Sequence, residues 1–241
     1  MPDAPQSRPD PAQVRREPVS FTRRGGRLTE RQQAAWDAVF DAFVVDVPRS
    51  GPSTSVDPGH RFDAEAVFGR RAPLIVEIGS GRGEVLVHAA EARPEVNFLG
   101  LEVYVPGVAQ TLVSLRHRKI TNVRLSVVNA AEALATMLPA ASVDELWVHF
   151  PDPWHKKKHH KRRLVTPAFA GLAARVLRPG GTWRMATDWA EYAEQMAEVV
   201  AGSPDFDGGP SDRWDGRPVT RFEAKGVDAG REIHDLTAVR R

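Results

Sequence analysis

The sequence predicts an α/β fold: a mostly parallel sheet covered by helices on both faces. Three observations carry this reading. From about residue 73 onward, short apolar runs alternate with segments of helical periodicity, the pattern of strands joined by crossover helices. The first apolar run ends in a glycine-rich turn, the usual opening of a ligand crevice in such folds. The composition, 41% hydrophobic and 27% charged over 241 residues, suits one globular domain with a full core plus some less ordered sequence.

The elements follow in chain order. Residues 1–25 are rich in Pro, Arg and polar residues and read as a disordered basic tail. Residues 26–72 read as an N-terminal helix and linker. Thr29 and Gln32 form a capping box, and Trp36, Val39, Phe40, Phe43 and Val44 then share one helical face. Residues 46–60 form a Pro/Gly/Ser loop. The main domain spans 73–241. Its strands are expected at 74–78, 97–103, 123–128, 143–150 and 182–187, with helices at 84–92 and 105–118 between them. Thr166 and Pro167 start a helix that Arg178-Pro179-Gly180-Gly181 stops. Asp188 and Glu191 cap another that runs to about Ala201. Residues 203–218 read as a long loop, and 233–239 as a closing strand.

Bulk properties narrow the function classes. No stretch approaches the ~18 apolar residues that span a bilayer, and the first twenty residues carry no apolar signal core, so a cytoplasmic protein without membrane contact is expected. There is no cysteine, which excludes disulfides and thiolate-bound zinc. The net charge is only +2, with 33 basic and 31 acidic residues, so a nucleic-acid footprint must come from local clustering.

Ligands in such folds bind at the carboxyl ends of the strands. The first strand ends in EIGSGRGE, with Glu77, Gly79, Gly81, Gly83 and Glu84. A dinucleotide site wants a third glycine where Glu84 stands, because a pyrophosphate must sit on the helix N-terminus. A carboxylate there disfavours phosphate. It tolerates S-adenosylmethionine, which has none and whose positive groups suit Glu77. Glu102 ends the second strand, where a carboxylate can accept both ribose hydroxyls. Asn129 follows the third strand, where its carbonyl could accept from an adenine amino group.

The stretch PDPWHKKKHHKRR is the most specific in the chain. Pro151 and Pro153 bracket Asp152 at the end of the fourth strand and aim its carboxylate at the crevice. Trp154 offers a face for stacking on a base. Lys156, Lys157, Lys158, Lys161, Arg162 and Arg163 follow with no acid among them, which favours phosphate contact beside the crevice. His155 and His159 could share a helix face, but the surrounding cations oppose a bound dication, so no metal site is expected.

EIGSGRGE, LGLEV, FPDPWHKKKHHKRR, ATDW and RPVTRFEAKG, in this order and spacing, resemble the bacterial tRNA (guanine-N7)-methyltransferases. The resemblance runs from about residue 73 to the C-terminus. It implies a Rossmann-like class I methyltransferase fold with seven strands, the last antiparallel, and S-adenosyl-L-methionine as cofactor. It implies methylation of guanine N7 at variable-loop position 46 of tRNA. The matching residues Glu77, Gly79, Gly81, Glu102, Asn129 and Asp152 would line the cofactor site, with Asp152 also catalytic. Lys156, Asp188, Thr220, Arg221, Phe222 and Glu223 would belong to the substrate site. The family often carries Asp where this chain has Asn129, which keeps the acceptor and drops the charge. Asp188 could instead only cap its helix with Glu191. Thr220 and Glu223 match a capping box, but Lys225-Gly226 follow in place of an apolar helix, which favours a binding loop. The expected partner is tRNA. No obligate protein partner is evident, and a monomer or homodimer is expected. Two rivals stay open: a small-molecule methyltransferase of the same fold, and an RNA-binding protein that has lost its activity.

Overall fold

The structure, a computed structural model, describes Ser20, Phe21 and residues 26–241. Apart from Ser20 and Phe21, the expected basic tail lies outside the described residues.

Seven strands form one sheet: β1 (Leu74–Ile78), β2 (Asn97–Leu101), β3 (Val123–Ser126), β4 (Val143–His149), β5 (Leu177–Thr187), β6 (Phe206–Ser211) and β7 (His234–Arg240), in the order β3-β2-β1-β4-β5-β7-β6. β1 to β5 pair in parallel; β7 runs antiparallel to both β5 and β6. The chain order reverses between β1 and β4, which opens a crevice at their carboxyl ends.

Eight helices complete the described chain: α1 (Glu30–Phe43), α2 (Ala64–Phe68), α3 (Glu84–Ala92), α4 (Val105–Arg118), α5 (Ala130–Glu132, continued by a π turn over Ala133–Met137), α6 (Pro167–Val176), α7 (Ala190–Ala201) and α8 (Arg221–Asp228). A 3-10 turn spans Lys157–Arg162. Both faces of β1 are buried, so its run is apolar throughout apart from Glu77. Leu74, Val76 and Ile78 join a cluster with Phe169, Trp183, Tyr192 and Met196. Ile75 points into the opposite cluster with Phe98, Leu112 and Trp147, under α1, α3 and α4. The capping box at Thr29 forms as its spacing requires, and Thr166 accepts from the Phe169 amide to start α6. Among the described residues no helix is long and apolar enough to cross a membrane.

Three local expectations need correction. The long loop expected over 203–218 contains β6, which pairs with β7 from Phe206 to Ser211. Its sequence, FDGGPS, has almost no strand propensity. Position 208 takes φ 138° and lies against Thr237, where a Cβ would come within 2.2 Å of the carbonyl oxygen, so glycine is required by the pairing itself. The binding loop expected at Thr220–Glu223 is the start of α8, with Thr220 capping the Glu223 amide at 3.1 Å. Gly226 sits inside that helix because its face packs on Asp188, whose Oδ2 would lie 3.1 Å from a Cβ there. Finally, Asp188 does not cap α7. Trp189 is the N-cap and makes no side-chain bond, while Asp188 pairs with Arg231.

Candidate active site

The glycine turn and Glu102 hold one another. Gly79 and Gly81 take φ 70° and 56°, left-handed values that bring their amides inward. The Gly81 amide donates to Glu102 Oε2 at 2.6 Å, and the Tyr104 amide donates to Glu102 Oε1 at 2.8 Å. The Gly79 amide donates to the Leu101 carbonyl at 2.8 Å, which docks the turn on the end of β2. Burial pushes the Glu102 carboxyl above its ordinary 4.5, against the opposing pull of those backbone amides.

Glu77 is 3% exposed at the end of β1. Its Oε1 meets His149 Nδ1 at 3.3 Å across the β1–β4 crevice, and its Oε2 has no partner among the described residues. The Ser80 hydroxyl in the turn is likewise buried and unpartnered. Buried polar atoms rarely go unsatisfied, so this end of the crevice is built for a polar ligand. A Cβ at Gly79 would meet nothing within 4 Å, so the turn faces open space. Asn129 caps α5: its Oδ1 accepts from the Ala131 amide at 3.1 Å, and its Nδ2 donates to Glu132 Oε1 at 3.0 Å. Its amide orientation is therefore set before any ligand arrives.

The segment after β4 is held at several points. Phe150 and Trp154 take left-handed φ values of 52° and 45°, unusual for aromatic residues. The Phe150 amide donates to the Ala186 carbonyl at 2.7 Å, and its ring packs 5.3 Å from that of Phe222 on α8. Between these aromatics Asp152 is half-buried and makes no hydrogen bond or ion pair with another described residue. Its carboxylate is left for a ligand.

The basic run divides into two kinds of residue. Lys156, Lys157, Lys158 and Lys161 are exposed. Arg163 is not: its side chain is 1% exposed. It donates to the Pro153 carbonyl and to Gln195 Oε1, each at 2.8 Å, and its guanidinium lies 4.9 Å from the Tyr192 ring. It therefore fastens the Asp152 segment to α7 and cannot serve as a phosphate ligand as it stands, contrary to the expectation from the run. Beneath it, burial pushes the Tyr192 hydroxyl up to about 12, so it stays neutral. Trp154 is also partly spent, with the Arg162 guanidinium 3.9 Å from its ring centre and its indole N–H donating to the Ser20 carbonyl at 3.2 Å. His155 packs on Trp189 and His159 on Trp154, so the two rings are engaged with different partners.

Of the expected substrate residues, Asp188 lies against α8, where Thr220 to Glu223 form the cap and first turn. Asp188 follows directly on β5, its side chain 7% exposed and its Oδ2 3.1 Å from Arg231 Nε, an ion pair without hydrogen-bond geometry. The Arg221 amide donates to Glu84 Oε2 at 2.6 Å, joining the first turn of α8 to the residue after the glycine turn. The Arg221 side chain and Phe222 are exposed. Glu223 is not: it is 2% exposed and bonded to Arg213 and to Arg217 Nη1, the latter at 2.7 Å. The helix places the Glu223 side chain inward, in an ion-pair cluster, while Phe222 is exposed.

Sequence reasoning passed over His149, Phe150, Arg213, Arg217, Arg231 and Asp235. A histidine closing an apolar strand was a readable signal for the first. The arginines gave none, because their partners lie on elements distant in sequence.

Comparison with known proteins gives the following. A family model described as "Putative methyltransferase" matches residues 71–236. A tRNA (guanine-N(7)-)-methyltransferase of Paenarthrobacter aurescens is 46% identical over 91% of this chain and 90% of its own length. One of Cutibacterium acnes is 51% identical over 93% of this chain and 83% of its own. Among solved structures, the 16S rRNA methyltransferase KamB superposes with a TM-score of 0.54 at 16% identity, covering 75% of this chain and 94% of its own. A 16S rRNA (adenine(1408)-N(1))-methyltransferase from Catenulisporales acidiphilia, solved with SAM, gives 0.51 at 16% identity over 78% of this chain and 92% of its own. At such identity these two speak for the fold alone.

Proposed function

The chain belongs to the bacterial tRNA (guanine-N7-)-methyltransferase family, and from that premise we propose that it transfers a methyl group from S-adenosyl-L-methionine to N7 of a guanine in tRNA, at variable-loop position 46. One observation carries the assignment to this crevice. A half-buried carboxylate without a hydrogen-bond partner among the described residues, Asp152, follows β4, two strands along the sheet from the strand that ends at the backbone-braced Glu102, and four exposed lysines follow it in the chain. A small-molecule enzyme has no use for those lysines. A protein that only binds RNA has no use for a buried, unsatisfied Glu77.

The cofactor supplies an electrophilic methyl group on a cationic sulfur. Glu102 would accept the ribose hydroxyls, and its two backbone donors fix where its oxygens point. Glu77 Oε2 and the Ser80 hydroxyl offer unfilled partners for the charged and polar groups of the amino-acid end. Asn129, whose Oδ1 already accepts from the Ala131 amide, would stand on the adenine side.

Guanine N7 carries a free lone pair at neutral pH, so no side chain must first remove a proton. The protein's work is orientation, which can supply several kcal/mol, and electrostatics. As N7 takes the methyl group, the base becomes positive. Asp152 is the residue placed to stabilise that charge, in a half-buried setting where its effect exceeds that in water. A carboxylate can also accept from guanine N1–H and N2–H, a pattern adenine does not present. Asp188, already paired with Arg231, is the less available second carboxylate. Lys156 to Lys158 and Lys161 would hold phosphates of the RNA and steer its approach. The work belongs in the cytoplasm, where tRNA is processed.

The test is incubation with unmodified tRNA and labelled cofactor, followed by reduction and aniline cleavage. Cleavage at one variable-loop guanine supports the reading. Labelling elsewhere, or of small acceptors only, refutes it.

A further inference from the structure

We infer that Arg217 is a positioning residue for methyl transfer, connecting α8 to the segment that carries Asp152; this rests on the reading of Asp152 given above. Arg217 is fully enclosed, its side chain 0% exposed. Its Nη1 donates to Glu223 Oε2 at 2.7 Å, and its Nη2 donates to Asp235 Oδ1 and Oδ2 at 2.9 and 2.7 Å. One guanidinium thus ties the first turn of α8 to β7. Its charge also lies over an aromatic ring, with the central carbon 5.4 Å from the centre of Phe150. Phe222 packs on the same ring at 5.3 Å.

Phe150 is therefore contacted by two residues, the buried Arg217 in the turn before α8 and the exposed Phe222 on it. Its backbone is committed to a left-handed turn and bonded to Ala186. Asp152 follows two residues later. No bond to Asp152 fixes its side chain, so its placement depends on how the segment is held on both sides, at Phe150 before it and at the Pro153 carbonyl, which Arg163 bonds, after it. A structural ion pair would need only the two carboxylates. The contact with Phe150 is the added one that points to the reaction. Phe222, exposed on α8, packs on the same ring, so a substrate pressing on Phe222 would be felt at Phe150.

Lysine keeps a positive charge but cannot bond two carboxylates in one plane or stack flat on an aromatic ring. Arg217→Lys, compared with wild type, should lower the single-turnover rate at saturating cofactor and tRNA by roughly 10- to 100-fold, the scale of a small misplacement of a reacting group. Its tRNA affinity, the salt dependence of that affinity and its cofactor affinity should stay within about twofold. Retention of the wild-type rate in folded Arg217→Lys overturns the inference. So does a loss that falls wholly on tRNA affinity, which would make this cluster a substrate contact. If Arg217→Lys does not fold, Phe150→Leu decides by the same two criteria, since it removes the stacking face and leaves the ion pairs intact. A wild-type protein that makes no N7-methylguanine refutes the functional reading itself, and this inference with it.

Discussion

Arg163 and the lysines beside it should respond to substitution in opposite ways, although they stand in one unbroken basic run. Arg163 makes three hydrogen bonds, to the Pro153 carbonyl, Gln195 Oε1 and His160 Nε2, from a side chain 1% exposed. Arg163→Ala deletes all three, leaves the Pro153 carbonyl short of a donor and opens space beside Tyr192. Leaving buried polar partners unpaired and opening a cavity at once costs about 2–5 kcal/mol. For a protein of this size each kcal/mol moves the melting temperature by about 2–4 °C, so a fall of roughly 10 °C is expected. Lys157, Lys158 and Lys161 are exposed, and their joint change to Ala should alter stability by only about 0.5 kcal/mol. Their effect should appear with RNA. Each phosphate contact adds about 0.7–0.9 to the slope of log affinity against log salt, so the triple variant should lose about 2–3 from it. Over roughly a fourfold rise in salt the wild type should then lose roughly 30-fold more affinity than the variant. Calorimetric melting and tRNA binding at several salt concentrations measure both. The reasoning fails if Arg163→Ala melts like wild type and lowers the salt slope by one, for Arg163 would then be a phosphate ligand.

Three further outcomes follow from the site. Asp152→Asn keeps shape and deletes charge, so single-turnover methylation should fall by about a hundredfold or more with tRNA affinity nearly kept; near wild-type rates would move the role to Asp188. Glu102→Ala should weaken cofactor binding by about 1.5–3 kcal/mol in calorimetry, and unchanged affinity in folded protein would remove Glu102 from the site. Burial raises the Glu102 carboxyl above 4.5, so this group's contribution to the stability of the free protein is full below that value and is lost as pH rises through the raised value. Ribose hydroxyls need the ionised form, so cofactor affinity should fall as pH is lowered towards the raised value, and this fall should be absent in Glu102→Ala.

Most of the frame could be read from the chain because local and global signals agree there. Strand β1 and helices α3 and α4 begin and end where apolar runs and turn residues place them. The glycine turn, Glu102 and Asp152 were legible because each follows directly on a strand end. β6 was not, since Gly208 is dictated by Thr237 on a neighbouring strand rather than by local preference. α8 was misread because Gly226 answers to Asp188, 38 positions away in sequence. Arg163 looked identical to its neighbours. Only folding shows that Pro153 and Gln195 surround it. Sequence patterns report what a residue prefers, and these residues are fixed by what other elements bring to them.

The left-handed aromatics Phe150 and Trp154 bear on how this protein would be engineered. A non-glycine residue in that conformation gives up about 1–2 kcal/mol. Glycine at either position would recover some of it. Relieving the strain at these two sites, which flank Asp152, would trade away the ring that Arg217 and Phe222 contact, or the one that Arg162 and Ser20 hold, and losing a packed aromatic ring costs about 3–5 kcal/mol, more than the strain. Hardening this enzyme without dulling it means leaving that loop uncomfortable and seeking stability at the far end of the sheet.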